Sequence, residues 1–357
     1  MRNFALIPAF IGLALAAPRP QDIALDEIEA LPTVAVVTPA LVVASQSASV
    51  LPLESQLAAA SSAIVADPAI GTPAAEKRNL AERDGTCAPY PKGAGPVPSP
   101  DTPDAFLNSK TLNDMSEYAV VPDGYKEEFK GAKASLSAYS YMGLYTLDSY
   151  DTLSCANRCD RAQGCVAFNV YIERDPSLDA NNQKCPNPPS TINYKCTLWG
   201  APVCDDQATN FGQYRAQFKV VITGSNAYNK NTPPAAVDGF LGPSALGGAI
   251  RAPPETGSYL TYQYFPFSQK QGYTPQTCAA GCKTITEENS KNPKKDGSYQ
   301  SCVQFNSYVL SKNGTPLGLY CSFYADVWGP QYADNYGQYR GSDRYTVSQS
   351  YSYCLEQ

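Results

Sequence analysis

The chain has 357 residues, with 27 basic and 33 acidic side chains, 12 cysteines, 25 tyrosines and no histidine. Without histidine, Ser-His-Asp and Cys-His catalysis, histidine-bearing zinc sites and a histidine pH switch are excluded. A net charge of −6 argues against a phosphate backbone as partner, and the length allows about two domains.

Residues 1–17 read as a secretory signal peptide: Arg2 supplies the positive end, Phe4 to Leu15 a short apolar stretch, and Ala14-Leu15-Ala16 a small-residue cleavage site. The apolar stretch is too short to span a bilayer. Residues 18–78 contain no Cys, Tyr or Trp and are dominated by Ala, Val, Pro, Ser and Leu. Lacking aromatic side chains, they have little to set against the conformational entropy of folding, so they are expected to be a disordered propeptide. Lys77-Arg78, at the composition boundary, looks like a kexin-type processing site. Cleavage there removes four basic and seven acidic groups, leaving 23 and 26 and a net charge of −3. A nearly neutral chain implies neither steering to an anionic polymer nor a polybasic membrane patch, and the C-terminus has no hydrophobic tail for a lipid anchor.

Residues 79–114 form a Pro-rich segment, with six prolines between Pro89 and Pro103. Beyond it the chain repeats. Cys196 to Arg215 (CTLWGAPVCDDQATNFGQYR) aligns without gaps on Cys321 to Arg340 (CSFYADVWGPQYADNYGQYR), at a constant offset of 125 residues. Upstream, CVAFNVY from Cys165 matches CVQFNSY from Cys302, and Cys155 and Cys159 match Cys278 and Cys282. Two tandem domains are expected, at 115–224 and 256–357, joined by a Pro/Gly/Ala-rich linker at 225–255.

Cysteines four apart fall on one helix face, with Asp151 as N-cap in the first copy and Thr274 followed by Pro275 in the second. Strand-like runs follow at Val166 to Ile172, Val303 to Leu310, Gln213 to Ile222 and Gln338 to Ser348. One helix with several short antiparallel strands makes each copy an α+β unit of about 100 residues, a size at which a core alone is marginal. Lys283 to Ser301, an insertion in the second copy, reads as a solvated helix extension and loop; a basic contact site around Lys294-Lys295 is the alternative.

In a secreted chain an even cysteine count at repeated spacings reads first as a disulfide framework; a metal site built from four cysteines lacks any C-x-x-C pair, and a catalytic cysteine lacks a histidine. CANRC from Cys155, CVAFN from Cys165 and CTLW from Cys196 resemble the PAN/apple domain superfamily over about 200 of the 357 residues. The resemblance implies one central helix packed on a small antiparallel sheet, with Cys155–Cys196 and Cys159–Cys165 paired in the first copy and Cys278–Cys321 and Cys282–Cys302 in the second. Cys185 and Cys204 occur only in the first copy, which suggests that they staple its longer loop. Cys87 and Cys354 are then left to join the two ends.

Modules of this type bind proteins or carbohydrates, and fold does not fix function. Tyr141 and Tyr145 before the first helix, Tyr262 and Tyr264 before the second, and Trp199 and Trp328 are the ligand-binding candidates: aromatic faces near Asn, Gln and Asp suit sugar rings or protein contact. The competing reading packs most of these tyrosines on the sheets. The repeated Gly-Gln-Tyr-Arg is read structurally, as a bulge glycine opening a strand whose arginine pairs locally. Asn313-Gly-Thr315 is a glycosylation acceptor on a turn, with Pro316 after it lowering its use. No pattern isolates a catalytic carboxylate pair, and no P-loop, GxSxG or GxGxxG motif occurs. The expected function is a secreted, non-enzymatic protein without cofactor or metal that binds extracellular polysaccharide or protein, with no nucleic-acid partner and no membrane insertion, and is extracellular or associated with a fungal cell wall. A structural wall component and a carboxylate-dependent glycan hydrolase are the alternatives.

Overall fold

The computed structural model describes residues 23–31, 35–40, 87–180, 183–269 and 272–356. The signal peptide at 1–17 and Lys77-Arg78 lie outside the described residues.

The architecture corrects the α+β apple expectation. Among the described residues twelve strands stand against five α-helices, and the strands form two six-stranded antiparallel sheets. The first contains β1 (Tyr125–Ala132), β2 (Tyr141–Leu147), β3 (Ala167–Pro176), β4 (Ser190–Trp199), β5 (Gly212–Arg215) and β6 (Phe218–Lys230). Its order is β1-β6-β3-β4-β2, with β5 hairpinned onto β6. The second contains β7 (Phe240–Leu246), β8 (Tyr259–Pro266), β9 (Gln304–Lys312), β10 (Thr315–Tyr324), β11 (Gly337–Arg340) and β12 (Asp343–Leu355). Here β7 and β9 flank β12, β10 and β8 follow, and β11 is hairpinned onto β12. The sheets therefore repeat strand for strand. One counterpart, β7, comes from the stretch expected to be a linker.

The sheets outweigh the helices because most of each module is strand-forming. Runs rich in Tyr, Val, Thr and Phe pack on a pleated surface, and β3 and β4 are buried along nearly their whole length. Helices α1 (Leu25–Glu29), α2 (Pro103–Leu107), α3 (Lys110–Glu117), α4 (Thr152–Arg161) and α5 (Pro275–Lys291) are additions to this frame. Asp151 caps α4, its carboxylate accepting from the Ser154 N–H at 2.8 Å. Pro275 opens α5, which continues through the charged insertion as far as Lys291.

In both copies α4 or α5 is bonded to the sheet: Cys155–Cys196 and Cys159–Cys165, then Cys278–Cys321 and Cys282–Cys302. Two inferred pairings are corrected. Cys185 bonds to Cys87, 98 positions earlier, because the Pro-rich segment folds back along the first sheet; Cys204 and Cys354 are both unpaired. The fold-back is held by backbone pairing of Pro89 with Leu178 and of Gly95 with Ile192.

Asn169 and Asn306, the Asn of CVAFN and CVQFN, are fully buried and make matching hydrogen bonds, including a long one from Nδ2 to the next residue's carbonyl at 3.4 Å. Asn169 Oδ1 accepts from Leu136 N at 3.1 Å while Nδ2 donates to Ser225 Oγ at 2.9 Å and Asn226 O at 2.8 Å. Asn306 Oδ1 accepts from Ile250 N at 2.9 Å while Nδ2 donates to Ser350 Oγ at 2.9 Å and Tyr351 O at 3.0 Å. Each side chain bridges a register break between the central strand and its neighbour.

The N-terminal leader differs from the disordered expectation where it is described. Ile23, Leu25 and Ile28 are buried against the second sheet, and Val37 pairs with Ala138 of the first module.

Candidate functional site

The repeated Asn-aromatic-Gly-Gln-Tyr-Arg builds the same local structure twice. Asn210 and Asn335 are buried, and their backbones pair with Ser135 and Ala249. The glycines that follow have φ of +95° at Gly212 and +116° at Gly337. A Cβ there would lie 2.2 Å from the Val220 carbonyl oxygen or 2.1 Å from that of Tyr345, so only glycine fits. This tight start opens the short strands β5 and β11 at the outside of each sheet. The two aromatic residues of each motif then face solvent: Phe211 is 66% and Tyr214 68% exposed, Tyr336 66% and Tyr339 72%. Lys219 Nζ lies 5.9 Å from the Tyr214 ring centroid. Large aromatics are seldom left this open, and here the same two positions are open in both copies.

These four residues are absent from the sequence-derived candidates, although their recurrence beside an obligatory glycine was the signal that could have found them. The named candidates are engaged elsewhere. Trp199 is fully buried, its Nε1 donates to Thr197 Oγ1 at 3.1 Å, and its ring meets Tyr141 edge-on at 5.3 Å. Burial pushes the Tyr141 phenol up to about 12. Tyr145 is half-buried beneath the Arg158 guanidinium, 4.5 Å from its ring centroid. Trp328 is pinned by its Nε1 to Ser258 Oγ at 2.9 Å and packs edge-on against Tyr332. Tyr262 and Tyr264 are half-buried; Tyr262 stacks on Tyr320 at 5.0 Å and Tyr320 on Tyr308 at 4.9 Å. Asn313 is exposed on the Asn-Gly turn between β9 and β10, where its Nδ2 donates to Asp343 Oδ1 at 2.8 Å.

Among the described residues Glu173 and Asp175 meet on one face of β3, where Glu173 hydrogen-bonds Asp175. They are 0% and 1% exposed. Burial raises the Asp175 carboxyl, against the opposing pull of Lys195. A cleft of about 600 Å³ runs between the modules, lined in part by Lys126, Glu128, Asn229, Lys230 and Gln349. Tyr273 ties its two sides: its N–H donates to Gly200 O at 2.9 Å and its hydroxyl to Gln349 O at 2.9 Å. Among the described residues no three His, Cys, Asp or Glu side chains gather as metal ligands, and no helix is long and apolar enough to cross a membrane.

Compared with known protein families, curated proteins and solved structures, the chain matches none.

Proposed function

We propose that the chain is a secreted, non-enzymatic protein that binds extracellular polysaccharide through its two exposed aromatic pairs, Phe211 with Tyr214 and Tyr336 with Tyr339. The observation that carries this reading is the exposure of the same pair in both copies of the repeat, on a backbone fixed by glycine. An exposed ring offers its face to the C–H side of a pyranose, and an aromatic residue on a rigid hairpin loses little conformational freedom on binding. Two such sites in one chain suit a repeating polymer, because the second contact is intramolecular and avidity exceeds either single affinity by up to about 10²–10⁴. Five disulfides among the described residues are compatible with an extracellular setting. The burial of Glu173 and Asp175 supports binding over hydrolysis, since a glycosidase needs its carboxylates open to substrate.

The test is co-sedimentation of the secreted protein with insoluble chitin, β-glucan and cellulose, beside the double variant Tyr214→Ala/Tyr339→Ala. Retention on at least one polymer, lost in the variant, is expected. Failure to sediment with all three, or equal retention of the variant, refutes the proposal, and release of reducing sugar would revive the hydrolase reading.

A further inference from the structure

The two sheets carry equivalent faces with different covers. In the first module Tyr171, Val220 and Ile222 form a buried cluster with Tyr90 and Ala180, supplied by two segments that Cys87–Cys185 joins. Arg215, the last residue of the repeated motif, donates from Nη1 to Tyr90 Oη at 3.1 Å and so holds that cover. At the corresponding positions the second module has Tyr308, Tyr345 and Val347, and the cover is Ile23, Leu25 and Ile28 of the leader. Arg340, the counterpart of Arg215, again holds the cover, pairing with Asp26 and, at 3.2 Å, with Glu29. The same face is thus closed permanently by a disulfide in one module. In the other it is closed by a segment lying upstream of Lys77-Arg78 that has no covalent bond to the face it covers.

The chemistry of the second face specifies an occupant. Its apolar floor takes side chains at positions 23, 25 and 28, and its polar groups are donors aimed at carboxylates. The Tyr262 hydroxyl donates to Glu27 and the Tyr345 hydroxyl to Glu29; Lys312 Nζ lies 3.6 Å from Glu29. The rings of Tyr262, Tyr320 and Tyr308 are stacked at 5.0 and 4.9 Å with interplanar angles of 16° and 14°. A row stacked this closely has no room for a sugar ring between its members. What the row offers an acidic side chain is the Tyr262 hydroxyl, which meets Glu27.

We infer that this tyrosine face is a binding site for acidic amphipathic peptide segments, filled by residues 23–31 while the leader is attached and opened to a second protein's segment when the leader is cut away. The site is distinct from the exposed aromatic pairs, and its failure would leave the polysaccharide reading standing. While tethered, the leader is present at an effective concentration on the order of millimolar, enough to exclude a weaker partner. Cleavage removes that advantage and leaves the face able to exchange.

The probe is a fluorescein-labelled peptide of residues 19–31, followed by anisotropy against the full chain. The wild-type uncut chain is expected to bind it at least tenfold more weakly than the full chain carrying Ile23→Asp/Leu25→Asp/Ile28→Asp. Adding Arg340→Glu to that opened chain is expected to weaken binding tenfold or more, and a peptide with Asp26, Glu27 and Glu29 changed to their amides should not compete. The wild-type chain cut after Arg78 repeats the experiment without any substitution in the protein and is expected to take up the peptide. Equal binding by the cut and uncut chains, or indifference to Arg340→Glu, overturns the inference. So does displacement of the peptide by chitin or β-glucan oligosaccharides, which would make the face a glycan subsite.

Discussion

Replacing Asn306 by leucine, a bulkier side chain of the same branching, tests whether the buried asparagine of each repeat is what joins the sheet across its register break. The side chain is fully buried, and its partners respond differently. Ser350 Oγ keeps its bond to Gly248 O at 2.7 Å and is not orphaned. The Ile250 N–H and the Tyr351 carbonyl lose the partners they have in Asn306, at 2.9 and 3.0 Å. An unsatisfied buried group costs about 1–3 kcal/mol, so two cost about 2–6, offset by roughly 1 kcal/mol from burying the added apolar surface. The expected loss is about 3 kcal/mol, a large share of the roughly 5–15 kcal/mol typical of a folded domain. Urea unfolding of the oxidised protein measures it: the midpoint should fall with the slope unchanged. Asn169→Leu should cost about the same, because it would orphan the Leu136 N–H and the Asn226 carbonyl. A loss below about 1 kcal/mol at either position would mean that the backbone rearranges to satisfy itself, and the bridging argument would be wrong.

Gly337→Ala and Gly212→Ala force a Cβ against a backbone carbonyl at a positive φ; each should cost more than about 2 kcal/mol in the same urea assay, and a neutral result would show that the hairpin start is deformable. Burial opposes ionisation of Asp101, but two hydrogen bonds from Ser190 and the Arg174 guanidinium outweigh it and hold the carboxyl below its usual range. Its stabilising effect is therefore complete above the unfolded value near 4 and fades as pH falls through the lower folded value. Asp101→Asn should be less stable than wild type at neutral pH and converge with it as pH falls through that lower folded value; parallel curves of urea midpoint against pH would contradict this. Cys204 and Cys354 are unpaired, and burial raises both thiols, so the unreduced protein should show two titratable thiols in denaturant that react slowly at pH 7 when folded. Finding none would show that both sulfurs are oxidised and contradict the unpaired assignment.

The sequence made the repeat legible because cysteine spacing and the Asn-aromatic-Gly-Gln-Tyr-Arg motif survive as strings. The start of α4 was legible because Asp151 is a local signal. What escaped depends on contacts between distant residues. The strand β7 sits in a Pro- and Gly-rich stretch with no alternating pattern, and it is a strand only because β12 offers it an edge. The partner of Cys185 was sought within the aligned repeat, whereas the chain returns from Cys87, outside it. The leader helix is five residues long and could not persist alone; its Leu25 and Ile28, with Ile23 just before it, become informative only once the tyrosine face beneath them is known.

Tyrosine content points toward ligand binding only after the tyrosines have been sorted by place. Tyr171, Tyr228, Tyr308, Tyr324 and Tyr353 are fully or almost fully buried, and burial raises each of their phenols; these residues are packing. Tyr262 and Tyr345 present hydroxyls to carboxylates of the leader, which is recognition by hydrogen bonding. Tyr214 and Tyr339 stand open at equivalent positions, with their rings exposed for stacking. One residue type thus serves a core, a peptide-facing surface and an exposed platform. The three roles predict different results from one substitution. Tyr→Phe should be neutral at Tyr214 and Tyr339, where the ring is used, and should weaken leader docking at Tyr262 and Tyr345, where the hydroxyl is.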